Sequence, residues 1–297
     1  MKKTLIALVV IIVLGFVGYL LVKNSSDTAN VNPGTTPTTT VQNTGTTTPE
    51  KNPQVIGASA DGRDILAYHY GTGENEILFV GGIHGGYEWN TSLVAYQLID
   101  ALEKDPGMIP DRVKVTVIPV LNPDGLNKVV GTDGRFTQAD VPTDTSATIP
   151  GRFNGNNVDL NRNFDCDWQA TGVWQKTTVS GGSAAFSEPE SQAIRDYVAA
   201  HKLSAVVVWY SSAGGVYASN CHTGISLETR KIMNVFANAS GYPAYDNFNF
   251  YETTGDMTNW LAKSDIPAIS VILTNHYDTE WIKNENGIKA LLFNYAE

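Results

Sequence analysis

The chain has only two cysteines among its 297 residues, Cys166 and Cys221. They are too few and too far apart in sequence for a zinc knuckle. One disulfide in an oxidising compartment and a pair of buried free thiols both stay open. Basic residues are also scarce, with 20 Lys and Arg against 30 Asp and Glu, for a net charge of −10. That balance argues against nucleic acid or another anionic polymer as a bulk electrostatic partner, although it says little about a single pocket. No internal repeat is present. The stretch from Asn24 to Pro53 has almost nothing apolar, as in Thr35-Thr-Pro-Thr-Thr-Thr40 and Thr46-Thr-Thr-Pro49. Such a segment cannot offset its own ordering entropy, so residues 24–54 read as a flexible linker.

Long hydrophobic runs are absent too, with one exception. Leu5 to Val22 carries no Asp, Glu, Lys or Arg and lies between Lys3 and Lys23. As a helix it would reach roughly 27 Å, enough to cross the hydrocarbon of a bilayer. A cleaved signal peptide starts in the same way, but no Ala-x-Ala-like site follows Val22. Residues 1–23 therefore read as a transmembrane signal anchor. Lys2 and Lys3 keep the N-terminus inside and place the rest of the chain outside the cell.

What remains, 55–297, is rich enough for a packed core, since the chain is 42% hydrophobic with six Trp. Ile65–Tyr70, Ile77–Val80, Val113–Leu121, Ala205–Tyr210 and Ala268–Leu273 read as strands. Gly71-Thr-Gly-Glu-Asn75 between the first two is a hairpin-like signal. Helical spacing runs over Thr91–Leu102, Thr229–Asn238, Gly255–Lys263 and Asn286–Tyr295. Another helix follows Phe186, with Ser187 as its N-cap and Glu190 as capping-box partner. The alternation predicts an α/β fold with a mixed, mostly parallel central sheet and helices on both faces.

Gly81-Gly-Ile-His84-Gly-Gly-Tyr-Glu88 follows the strand Ile77–Val80 and leads into a helix. His84 and Glu88 thus sit at the C-terminal end of a strand, where open α/β sheets present ligands to a crevice. Two such donors suit a metal. The long polar segment from Asn122 to about Phe186 carries little periodicity, and a loop of that length within a domain is usually functional.

The loops, in order, resemble the zinc metallocarboxypeptidase family over essentially all of 55–297. The matching stretches are Gly81-Gly-Ile-His84 with Glu88, Asn122-Pro-Asp-Gly125, Val158-Asp-Leu-Asn-Arg-Asn-Phe164, Phe186-Ser-Glu-Pro-Glu190, and Tyr251-Glu-Thr-Thr-Gly255 with Trp260. The resemblance implies zinc as cofactor, with His84 and Glu88 as its first two ligands. It implies that Asn161 and Arg162 hold a substrate carboxylate, that Arg152 stabilises the oxyanion, and that Tyr251 closes over the peptide. A guanidinium fork suits a carboxylate because it grips both oxygens. Counting from Tyr251, Thr258 is the residue that shapes the pocket for the terminal side chain.

Three departures stand against that pattern. His84 and Glu88 are separated by three residues where the family usually has two, an insertion that Gly85 and Gly86 can absorb. The third ligand, a His in a His-Ser step, falls on Tyr210, or on Ser211 after a one-residue shift. A neutral hydroxyl is a weak zinc donor. The general-base Glu falls on Ile272, which cannot accept a proton. Among residues that could substitute are His222 for the ligand, and Glu280 or Asp278 for the base. His69 and His201 read as structural or surface residues, and His222 otherwise belongs with them. The expectation is a membrane-anchored extracellular domain that recognises C-terminal carboxylates of peptides or peptidoglycan stem peptides with hydrolysis impaired or lost, a pseudo-carboxypeptidase. The alternative is an active carboxypeptidase that uses substitute groups.

Overall fold

The computed structural model describes residues 53–296. The candidate anchor and nearly all of the linker lie outside the described residues. Among those described, no helix is long and apolar enough to cross a membrane.

The central sheet is built around β3 (Asn75–Val80), β7 (Leu203–Ser211) and β10 (Ala268–Leu273). These are the near-continuous apolar runs of the sequence, and β7 is buried along almost its whole length, as a strand covered on both faces must be. β3 and β7 pair in parallel, as do β7 and β10. Outward from β3 come β4 (Val113–Ile118), β2 (Asp64–Tyr70) and β1 (Gln54–Ala58). Outward from β10 come β8 (Gly215–Ala218) and β9 (Ala244–Tyr245). β3 pairs with β4 in parallel and β8 with β9 in parallel, whereas β1 with β2, β2 with β4 and β8 with β10 run antiparallel. The sheet is thus mixed and mostly parallel, as the sequence predicts.

Successive side chains of each strand serve opposite faces. Ile77 and Phe79 of β3, with Val207 and Trp209 of β7, join one core with α1 (Trp89–Lys104), α4 (Leu227–Ser240) and α6 (Trp281–Asn294). Leu78, Val80, Val208 and Tyr210 join the other with α3 (Pro189–Ala200) and α5 (Met257–Lys263). Helices therefore cover both faces.

Three local expectations change. β2 and β3 do not form a hairpin, because β4 lies between them and pairs with both. The segment after β3 crosses over through α1 and returns as a parallel neighbour, and that claims the edge a hairpin would need. Ser187 does not cap α3. The helix starts at Pro189 with Glu188 at the N-cap and no side-chain cap, while Ser187 Oγ donates to Glu188 Oε1 at 2.8 Å and Glu190 reaches Ala60 N at 3.0 Å. Proline favours the first helical position because it has no N–H to satisfy there. The long polar segment is not bare loop either. It holds α2 (Pro123–Val130) and a hairpin, β5 (Thr171–Trp174) with β6 (Thr177–Ser180). Asn122 caps α2 by accepting from Gly125 N at 2.8 Å.

Away from the strand ends where His84 and Glu88 sit, Glu76 is buried at the start of β3. Burial alone would raise its pKa, but bonds from Tyr197, His201, Thr116 and Lys114 outweigh that and bring it down to about 2. A depressed carboxylate stabilises the fold above its ordinary value of 4.5 and loses that contribution as the pH falls toward 2. His201 and Tyr197 stack at 3.9 Å in this cluster, and His69 joins it through Thr116 at 3.0 Å, which gives both histidines a structural place. Glu76→Gln should therefore lower stability on the order of 1–3 kcal/mol at neutral pH and flatten the acid limb between pH 4.5 and 2. Thermal melts of both proteins across that window test it. Parallel acid limbs would show that Glu76 is not the group responsible.

Candidate functional site

The C-terminal ends of β3, β7 and β10 open into a cavity of about 690 Å³. His84, Glu88, Asn161, Arg162, Tyr210, Tyr251, Thr258 and Ile272 all lie on its wall. The residues to which the resemblance gives a role are thus brought together, with one exception. Arg152 is not on the wall. It lies 1% exposed beneath Trp174 and Tyr87, its guanidinium 4.6 Å from the centre of the Trp174 ring and 5.7 Å from that of Tyr87.

The His84–Glu88 turn takes its shape from its glycines. Gly85 has φ +45°, and a Cβ on it would come within 2.6 Å of Gly151 O, while a Cβ on Gly86 would strike Val129 at 2.4 Å. The turn therefore packs its bare backbone against α2 and the loop that carries Arg152. The extra residue is absorbed there, and His84 Nδ1 still faces Glu88 Oε1 at 3.0 Å. On the other side of the ring, Nε2 lies 3.3 Å from Asp159 Oδ1. Asp159 in turn takes Arg152 Nε at 2.9 Å. This carboxylate behind the histidine is a residue that the sequence reading did not single out. Its signal was its position two residues before Asn161 in Val158-Asp-Leu-Asn161. A carboxylate on the far nitrogen is the usual way a metal-binding imidazole is held in orientation.

Neither His84 nitrogen makes a geometrically sound hydrogen bond, although both are buried. Burial and Arg152 disfavour its charged form, but Glu88 and Asp159 outweigh them and raise its pKa. Burial acts the other way on Glu88, yet His84 and Arg152 keep its pKa lowered. The pair has the arrangement of two metal donors: buried, facing, and with the imidazole's Nδ1 left without a hydrogen-bond partner.

A third donor is missing. Tyr210 is the next-to-last residue of β7 and lies with its ring 5.8 Å from that of His84, but its hydroxyl donates to Asn161 Oδ1 at 3.2 Å. Burial, reinforced by the carboxylates of Asp256 and Glu88, raises its pKa well above 10, so the phenolate form a metal prefers is suppressed. The alternative, Ser211, gives its backbone N–H to Glu88 Oε2 at 3.0 Å and its hydroxyl to Asn90 Oδ1 at 3.1 Å. His222 stays at the rim, where Nε2 meets the Asp167 carboxylate at 2.8 Å. Among the described residues no group of three His, Cys, Asp or Glu could hold a metal. The residues fit two ligands of a zinc site and do not complete it.

Ile272 pairs with Tyr210 in the parallel register of β10 and β7, and it is buried. Neither substitute base reaches the cavity wall. Glu280 accepts from Thr274 N and Tyr242 Oη at 2.7 Å each and from Lys283 at 2.7 Å. Asp278 Oδ1 takes the Glu280 N–H at 2.8 Å. Both are taken up in the hydrogen bonds of the loop before α6.

His276, from the same loop, does line the cavity and was not singled out in the sequence. Asn90 Nδ2 donates to the carbonyls of Asn275 and Asp278 at 2.8 and 2.9 Å, so its Oδ1 must face Ser211. Ser211 gives its hydrogen to that oxygen and accepts from His276 Nδ1 at 2.7 Å. The chain of bonds fixes the proton of a neutral His276 on Nδ1. Nε2 is left as an acceptor, 3.3 Å from Ser212 Oγ. Burial lowers the pKa of His276, which favours the neutral ring.

On the opposite wall, Arg162 donates through Nη1 to Asn161 O and through Nη2 to Val173 O, both at 2.9 Å, and stacks 5.7 Å from the Tyr251 ring. These bonds aim the guanidinium and leave it further N–H groups. Cys166 and Cys221 are joined by a disulfide, which resolves the choice the sequence left open. The bond staples the loop after Arg162, whose Cys166 O accepts from Gly255 N at 2.7 Å.

The family model for zinc carboxypeptidases matches residues 39–274. Bacteriocin BCN5 of Clostridium perfringens is 27% identical over 71% of this chain and 21% of its own length. Gamma-D-glutamyl-L-diamino acid endopeptidase 1 of Lysinibacillus sphaericus is 22% identical over 66% of this chain and 54% of its own. The chain thus spans about half or less of these curated relatives. Carboxypeptidase A from Helicoverpa armigera superimposes with a TM-score of 0.63 at 21% identity, covering 82% of this chain and 68% of that one. Murein-tripeptide amidase MpaA from Escherichia coli O157 does so with 0.56 at 20%, covering 82% and 90%. These structures share the fold. With the family model matching most of its length, the chain belongs to the zinc carboxypeptidase family.

Proposed function

We propose that the domain recognises the C-terminal carboxylate of peptides, peptidoglycan stem peptides foremost, with hydrolysis impaired or lost. We further propose that residues 1–23 tether it to the membrane with the domain outside the cell. One observation carries the functional reading: the paired strand positions Tyr210 and Ile272 supply neither a third metal donor nor a proton acceptor, while Arg162 and Tyr251 still line the cavity. A guanidinium held by two backbone carbonyls is preorganised for an anion. The names of a murein-tripeptide amidase and a gamma-D-glutamyl-L-diamino acid endopeptidase among its relatives support stem peptides as the first ligands to try.

A second reading, hydrolysis through substitute groups, is favoured by His276, whose Nε2 is an acceptor at the cavity wall. Metal analysis of the purified full chain, combined with a peptide panel, separates the two. The first reading expects less than one zinc for every ten chains, binding of peptides with a free C-terminus, and no binding of their C-terminal amides. Stoichiometric zinc with release of C-terminal residues would establish the second.

A further inference from the structure

Arg162 carries most of the work of holding a carboxylate in this cavity, because the amide next to it is taken. Asn161 Nδ2 donates to Asp256 Oδ2 at 2.8 Å, and its Oδ1 accepts from Met257 N at 3.0 Å and Tyr210 Oη at 3.2 Å. The guanidinium is itself only partly free. Nε and Nη2 form the edge that grips both oxygens of a carboxylate side-on. Strand β5 lies along that edge. Val173 O accepts from Nη2 at 2.9 Å, and Gly172 comes so close that a Cβ on it would sit 3.0 Å from Nε and 2.8 Å from Arg162 Cδ.

This contact leaves Nε buried without a hydrogen-bond partner. Thr254 Oγ1, 3.2 Å from the same point above Gly172, is buried and unpartnered too. An N–H of a charged group that is removed from water and left unpaired is costly. The arrangement with β5 in place therefore withholds a bond that a ligand carboxylate supplies.

Little else holds the hairpin down. β5 and β6 form a sheet of their own, separate from the central one. Trp174 and Val179 are their only buried side chains, and these pack with Tyr87 in a small cluster apart from both main cores. The base is fixed, with Asp159 N donating to Ser180 O at 3.0 Å and Gly181 N to Ala170 O at 2.9 Å. The tip, Gln175 and Lys176, lines the cavity.

We infer that the β5–β6 hairpin is a flap that regulates the site: a ligand carboxylate takes Nε and Nη2 of Arg162 by displacing β5, and the hairpin lifts from its base. This rests on the carboxylate reading of the site and deepens it. Asn161 O keeps its hold on Nη1 at 2.9 Å, so the guanidinium stays aimed while Nη2 exchanges partners. The ligand favours the lifted state because only there does Nε gain a partner. A lone two-stranded hairpin is marginal in water, so once lifted it frays and its amides exchange.

Hydrogen exchange read by mass spectrometry on the detergent-solubilised full chain tests this, with the tripeptide L-Ala-γ-D-Glu-L-Lys and its C-terminal amide as probes. A ligand that only docks protects what it touches. Saturating tripeptide should instead speed exchange over residues 172–179 about tenfold, and the amide should leave it unchanged. Val179→Ala loosens the hairpin's packing without touching the cavity wall. In that variant, free of peptide, exchange should rise about fivefold and affinity for the tripeptide by the same factor, since affinity scales with the lifted fraction. Unchanged or slower exchange when the tripeptide binds the wild type overturns the inference alone, as does faster exchange in Val179→Ala without a gain in affinity. No binding of the tripeptide removes the carboxylate reading, and the inference with it.

Discussion

The chain carrying Tyr210→His together with Ile272→Glu is expected to hold one zinc per molecule and to release C-terminal residues at least about a hundredfold faster than the wild type. The two candidate donors already face each other, with His84 Nδ1 and Glu88 Oε1 3.0 Å apart and Asp159 behind the ring. A catalytic zinc takes three protein ligands and leaves one position open, and the end of β7 is where the third would come from. A positioned base contributes about 10² to 10⁴ in rate, and Ile272 lies beside Tyr210 in the sheet register. Tyr210→His alone should gain zinc without much rate, and Ile272→Glu alone should gain neither. Metal content and release of a C-terminal residue from a peptide library provide the two readouts. A double variant without zinc would show that the cavity has diverged beyond these two positions.

Arg162→Ala should cost binding of a free-carboxylate peptide about 2–5 kcal/mol, a loss of roughly thirtyfold or more. Arg162 is 1% exposed and its two backbone acceptors, Asn161 O and Val173 O, hold it in one orientation. Removing it leaves the ligand's carboxylate buried without a counter-charge, and that is what makes the effect large. Arg162→Lys keeps a charge but not the planar fork, and should fall between the two. A lower melting temperature is expected as well, because the side chain ties the loop to β5. Affinity is therefore measured well below the melting point of each variant. An unchanged dissociation constant for the alanine variant would refute the role given to Arg162.

The five quoted loops were enough to identify the fold, because such loops mark the ends of strands and helices whose spacing is written in local apolar periodicity. The positions of Tyr210 and Ile272 were legible for the same reason, since each is counted from the end of an apolar strand. His276 was not legible. Its place depends on Asn90 and Ser211, which are distant in sequence, and only the hydrogen bonds among them fix its tautomer. The engagement of Asn161 by Asp256 was hidden in the same way, as a contact across 95 residues. So was the retreat of Arg152 from the cavity wall to a place beneath Tyr87.

By itself the sequence determined the strands, most of the helices, and which chemical groups are available: a histidine and a glutamate of the kind that suit a metal, two arginines, and no acid or histidine at the strand positions where the resemblance expects them. Those properties follow from local composition and period. Tertiary structure alone decided which distant pairs meet, setting His84 against Asp159 and Asp256 against Asn161 in the cavity wall. Side-chain contacts between distant segments depend on the packing of the whole sheet and its helices, which local sequence does not encode.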